Sequence, residues 1–241
     1  MSQEKNLKIN TDDSEGSYEP HTPGGHAADA SQPTMPVYHR QYGNPAPLGL
    51  LAYGTVFLAA SLFNINARGI HNGSLVLLFA MFYGGIMQTL VGMWEMFLGN
   101  TFGATVFATY GGFNMSYGAL YLPGVGVQAL YTDANGVLSP DFEQAVGIYL
   151  LIWDVITLLF LIGCLRSSAP VVWTFGTTVV ALTLLAANSF TGIQSLAVAG
   201  GVFGLCAAAG AYYAALAGFY SPTVTFKWIK LPPMSLAYSE V

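Results

Sequence analysis

The feature that most constrains this chain is a series of apolar runs almost free of charge: residues 75–94 and 171–187 carry none, and residues 147–164 carry only Asp154. Each approaches the roughly 20 apolar residues that a helix needs to cross a bilayer. The 241 residues are 54% hydrophobic and 8% charged, against roughly 25% charged in an ordinary soluble domain, which leaves too few charges to cover a surface in water. The fold class that follows is an all-α integral membrane protein, because a transmembrane β-barrel would show alternating segments of about 10 residues instead.

Six transmembrane helices are expected, at about residues 48–66, 74–97, 103–122, 142–165, 169–188 and 192–219. Residues 1–43 are rich in Ser, Thr, Asp, Gly and Pro and predict a disordered cytosolic tail. Residues 44–220 then form the transmembrane domain, and 221–241 a short cytosolic C-terminal tail. The polar first 43 residues lack the apolar stretch of a cleavable signal peptide. Before the fourth span, Ser139-Pro140-Asp141-Phe142-Glu143 reads as a helix start, with Ser as cap, Pro in the first turn and acids at the positive end of the dipole. With a cytosolic amino terminus, Lys5, Lys8, Arg40, Arg166, Lys227 and Lys230 lie inside and Arg68 alone lies outside. That asymmetry obeys the positive-inside rule and puts both termini in the cytosol. The acidic loop before the fourth span and the sequon Asn72-Gly73-Ser74 then lie outside. Asn100-Thr-Phe-Gly103 before Gly111-Gly112, and Asn188-Ser-Phe-Thr-Gly192 before Gly200-Gly201, leave open a 3+3 inverted repeat or coincidence among 28 glycines.

The stretch Asn44-Pro45-Ala46-Pro47-Leu48 stands at the first span. Proline fixes φ and disfavours helical geometry in the residue before it, so a regular helix is expected no earlier than Pro47. Asn44, Pro45, Pro47 and Leu48 are expected to shape a cytosolic vestibule, where the free N–H groups of that first turn either face an anion or simply open a rigid helix. Gly99-x-x-x-Gly103, Gly200-x-x-x-Gly204 and Ala214-x-x-x-Gly218 predict close helix packing, and exposed small faces predict an oligomer. Gln88, Glu95, Asn64, Asn188 and Asp154 are polar groups at membrane depth. Asp154 has no Lys or Arg near its depth, so it is either a proton relay or a neutral acid at a helix contact. Glu95 reads as a cap of the helix start at Asn100-Thr101.

No nucleotide fingerprint, metal motif or nucleophile–base set is present, and the histidines (21, 26, 39 and 71) all precede or join the first spans. An enzyme, a metal and a cofactor are therefore not expected. No basic stripe points to nucleic acid. Cys164 and Cys206 fall in apolar spans and read as free packing thiols.

The wording of the chain is specific. "NPAPLGL" at 44–50, "FYGGIMQ" at 82–88, "WE" at 94–95, "GNTFGATVFATYGGF" at 99–113 and "AGGVFG" at 199–204 resemble the acetate uptake transporter family, which spans yeast acetate/ammonia transport proteins and bacterial succinate–acetate permeases. The long polar tail is similar to that of fungal members, for which the plasma membrane is expected. The resemblance implies six membrane helices in a fold similar to the proton-gated urea channels, and a hexamer with a pathway in each protomer. It also implies transport of acetate or other short monocarboxylates with protons. A central aromatic constriction is implied as well, and two of its positions fall by motif on Tyr53 and Tyr110. The third, a leucine in the family, falls on Thr177 or Thr178. Asp154 is a departure too, since the family usually has a small residue after that tryptophan. Two alternatives stay open: an ammonia or ammonium exporter, and a nutrient-sensing membrane protein.

Overall fold

The structure, a computed structural model, describes residues 42–221 and 225–237. Of the tail expected over 1–43, only Tyr42 and Gly43 are among the described residues.

Six long helices follow one another: α1 (Ala46–Asn64), α2 (Val76–Phe97), α3 (Thr101–Leu120), α4 (Pro140–Gly163), α5 (Ala169–Thr191) and α6 (Gln194–Phe219). Five of them are long and apolar enough to cross a membrane. The exception, α3, has 20 residues, enough for about 30 Å of helix, but its Thr, Ser, Asn and Tyr residues make it less apolar. Among the described residues no Lys, Arg or His lies in any of the six.

Neighbours in the bundle are α3–α2, α2–α1, α1–α6, α6–α5 and α5–α4. The ring closes between α3 and α4 through side chains, with Phe113 5.0 Å from Trp153 and 6.0 Å from Tyr149. Chain order is thus ring order, as short connections between antiparallel neighbours require. Close backbone approach is made where a side chain would not fit: a Cβ on Gly92 of α2 would lie 2.6 Å from Ala108 N of α3. One end of the bundle carries the start of α1, the end of α6 and the α2–α3 and α4–α5 turns. The other carries the longer 121–139 connection, where Asp133 accepts from the N–H groups of Asn135 and Val137.

Helix ends show which local signals acted. Ser139 Oγ accepts from Asp141 N at 3.2 Å, with Pro140 as the first helical residue. At α3 the cap is Asn100, whose Oδ1 accepts from Gly103 N at 3.1 Å. Glu95 does not cap α3 itself but holds the capping residue, its Oε2 accepting from Asn100 Nδ2 at 2.7 Å.

Two expectations are corrected. The first helix begins at Ala46, one residue before Pro47. Ala46 tolerates the helical conformation because Asn44 Oδ1 accepts its N–H at 3.0 Å, while Leu48 N and Gly49 N both donate to Pro45 O. Prolines have no N–H, so no free amide remains from Pro45 to Leu48 to face an anion. The pair Gly99 and Gly103 is not a helix-packing face, because Gly99 lies in the α2–α3 turn with φ of +80°, a conformation that glycine adopts without strain.

Within α2, residues Phe79–Met87 form a π-helix. A wider turn advances less rotation per residue, and it ends with Gln88 fully buried beside α3. At the end where α6 finishes, residues after it return to the α4–α5 turn: Ala169 N donates to Met234 O and Leu236 N to Ser167 O.

Candidate functional site

Tyr53 on α1 and Tyr110 on α3 meet at the centre of the ring, edge to face, with centroids 5.0 Å apart. They are 4% and 1% exposed, so both rings are buried in the middle of the bundle. Phe57 stacks on Tyr53 at 4.7 Å on the side of the 121–139 connection, and Phe175 lies 6.2 Å from Tyr110 on the other. Such offset and edge-on contacts are the favoured geometries of aromatic pairs.

Each phenol is tied to a threonine. Tyr53 Oη lies 2.6 Å from Thr178 Oγ1 on α5, and Tyr110 Oη lies 2.8 Å from Thr157 Oγ1 on α4. The direction of both bonds follows from counting hydrogens. A threonine has one hydroxyl hydrogen; that of Thr178 goes to Thr174 O at 2.7 Å, and that of Thr157 to Trp153 O at 2.8 Å. Both phenols therefore donate to the threonines, and the acceptor capacity left on their oxygens is partly shared between the two phenols, which also lie within hydrogen-bonding reach of each other.

The side-chain amides nearby are engaged as well, although Gln88 Nε2 has a partner for only one of its two hydrogens. Asn114 Nδ2 gives its two hydrogens to Gln88 Oε1 and Tyr110 O, both at 2.9 Å. Gln88 Nε2 points to Gly49 O at 3.4 Å. Thr177 Oγ1 bonds the carbonyls of Trp173 and Thr174 and joins neither tyrosine. Of the two threonines that the sequence leaves open, Thr178 is the one the fold brings to the rings.

Above the rings lies a vestibule of about 260 Å³, lined by Phe57, Asn64, Asn114, Leu150, Leu182 and Asn188, with Glu143 at its rim. Outside it, the N–H of Val137 and then that of Asn135 hold the exposed Asp133 carboxyl below its ordinary range. The segment Asn44, Pro45 and Leu48 is not at the rings. It borders a groove on the flank of the bundle with Met87, Leu90 and Trp94, and only Pro47 turns inward, toward α6.

Glu95 and Asp154 are 3% and 8% exposed, and each has one carboxyl oxygen without a hydrogen-bond partner among the described residues. Asp154 Oδ2 is 2.7 Å from Thr183 Oγ1 on α5. Sequence reasoning missed Thr157 and Thr183. The available signal was spacing: Leu150, Asp154 and Thr157 recur at the four- and three-residue intervals that share one helix face.

Comparison with known proteins gives consistent results. Residues 27–237 match the model of the GPR1/FUN34/yaaH family. The chain is 38% identical over 205 residues to ammonia transport outward protein 2 of Saccharomyces cerevisiae, covering 85% of this chain and 71% of that one. It is 36% identical over 207 residues to acetate permease A of Emericella nidulans, covering 80% and 69%. Among solved structures, that of the bacterial acetate channel SatP is similar with a TM-score of 0.65 at 32% identity, covering 76% of this chain and 96% of that one.

Proposed function

The chain belongs to the GPR1/FUN34/yaaH family, and from that premise we propose that it transports acetate and other short monocarboxylates across the membrane, with the undissociated acid as the species that passes the tyrosines. It is a transporter or channel and not an enzyme, in keeping with relatives named permease, transport protein and channel. All six helices span the membrane, with both termini in the cytosol and the vestibule outside, in the plasma membrane. Oligomerisation, as a hexamer with one pathway per protomer, fits the apolar flank on which Phe82, Leu90 and Trp94 stand exposed.

The observation that carries this reading is the hydrogen count at the constriction. The phenol oxygens are acceptors whose own hydrogens are committed to Thr178 and Thr157. A carboxylate only accepts hydrogen bonds, so it finds no donor there and would leave its water uncompensated. An undissociated acid brings its own donor and loses most of that cost. Proton-linked transport follows from this, because each acid molecule carries one proton. The same acceptors suit ammonia, whose N–H groups donate, and this keeps ammonia export as the second reading.

The test is labelled-acetate uptake into proteoliposomes, with internal pH followed by a trapped dye. The expected result is saturable uptake with one proton entering per acetate, competed by ammonia. Uptake that brings in no proton would reject the reading.

A further inference from the structure

The hydrogen count that orients the phenols has an unresolved remainder at Asp154. Thr183 Oγ1 stands 2.7 Å from Asp154 Oδ2 and 3.0 Å from Val179 O. It has one hydrogen for two acceptors if Asp154 is a carboxylate. Asp154 Oδ1 meanwhile has no partner among the described residues, in a residue 8% exposed. A proton on Asp154 resolves the set: Oδ2–H donates to Thr183 Oγ1, and Thr183 donates to Val179 O.

No neighbouring charge substitutes for that proton. Helix α5 carries no titratable side chain along its whole length. From α3 the facing titratable group is Tyr110; α4 itself carries Asp141 and Glu143 in its first turn and Tyr149, with Cys164 just past its end. Tyr149 is engaged by Ser116 Oγ at 2.6 Å, and Cys164 Sγ by Leu161 O. No cation lies in any of the six helices.

The position of this contact gives it consequence. Asp154 sits between Leu150, which lines the vestibule, and Thr157, which receives the Tyr110 hydrogen. Thr183 sits five residues beyond Thr178, which receives the Tyr53 hydrogen. The Asp154–Thr183 bond thus joins α4 to α5, the two helices that supply both acceptors of the constriction.

We propose that Asp154 is a proton-binding site whose occupancy sets the spacing of α4 and α5, and through Thr157 and Thr178 the closure of the tyrosine constriction. Loss of the proton leaves the shared Thr183 hydrogen and a bare Oδ1, so the ionised acid draws in water and loosens the join. This inference deepens the transport reading and rests on it for its functional consequence, though the proton itself is detectable without transport.

The experiment therefore has two arms on the purified full chain in proteoliposomes. Infrared difference spectroscopy between low and high pH should show a protonated-carboxyl C=O band in the wild type that is absent in Asp154→Asn and displaced in Asp154→Glu. Uptake is then measured across pH at a fixed concentration of undissociated acid, which removes the titration of the substrate. Wild type should change several-fold with pH. Asp154→Asn, which keeps an N–H for Thr183, should hold the low-pH rate throughout, and Asp154→Glu should restore a dependence at a shifted pH. An unchanged infrared band in Asp154→Asn, a flat wild-type profile, or a variant that retains the wild-type profile would each overturn the proposal. A wild type that carries no acid at all would instead reject the transport reading, and the infrared arm would still decide whether Asp154 binds the proton.

Discussion

The vestibule and the constriction beneath it are built from the same kinds of side chain, amides, hydroxyls and aromatic rings, and differ in what their hydrogens do. In the vestibule the amides of Asn64 and Asn188 make no hydrogen bond among the described residues and can meet a carboxylate. In the constriction the hydrogens of Tyr53, Tyr110, Thr157 and Thr178 are all taken by protein oxygens. One region can hold an anion in place of its water, and the other can only accept hydrogens. On the transport reading proposed above, selection for the neutral form lies in that step, with no cation among the six helices involved.

The harshest way to break the comparison is to remove a ring. Tyr110→Ala should destabilise the protein by about 3–5 kcal/mol, as buried aromatic truncations do. It should also open the pathway to bulkier acids such as benzoate, which a thermal-shift assay and competition uptake would show. A sharper change keeps the rings and alters only the hydrogens: Thr157→Val with Thr178→Val frees both phenol hydrogens. Acetate uptake at alkaline pH, where the anion dominates, should then rise by about tenfold, since a hydrogen bond to a charged group is worth roughly 1.5–3 kcal/mol. No change there would mean that the phenols are not what excludes the anion.

Changes in the vestibule should be milder. Asn64→Ala and Asn188→Ala each delete one approachable amide and should raise the KM for acetate about two- to tenfold, the worth of one hydrogen bond, with the maximal rate kept. The smallest effect belongs to Asp133 in the loop outside. Its carboxyl is held below the ordinary range, so its contribution is present above that range and is lost as pH falls past it to the lowered value. The protection of the Asn135 and Val137 amides, measured as exchange relative to the intrinsic rate at each pH, should fall on acidification in the wild type, and Asp133→Asn should remove that change without altering uptake at neutral pH.

What could be read from the sequence was what local chemistry decides. The long apolar runs, the Ser139 cap of α4 and the importance of Asn100 at α3 depend on residues a few positions apart, and they lie where the pattern puts them. The first turn of α1 was harder, because Asn44 Oδ1 reaches over to Ala46 N and overrides the bias that Pro47 imposes. The π-helical stretch in α2 leaves no mark in an apolar pattern that a regular helix would share. At the constriction, Tyr53 and Tyr110 came from motif, but Thr177 and Thr178 are adjacent and only the rotation of α5 separates them. Thr157 and Thr183 look like ordinary residues of an apolar run until the count of hydrogens gives them partners.

The central claim, that a neutral acid crosses the tyrosines, is tested most directly by the voltage dependence of labelled-acetate uptake in potassium-clamped proteoliposomes at fixed pH. A membrane potential changes the energy of one moving charge by roughly 2.3 kcal/mol per 100 mV, about 50-fold in the equilibrium distribution of an anion. The account predicts that accumulation follows the pH gradient and does not respond to the potential. Accumulation that scales with the potential, with no accompanying proton, would show that the anion itself passes and would contradict the account.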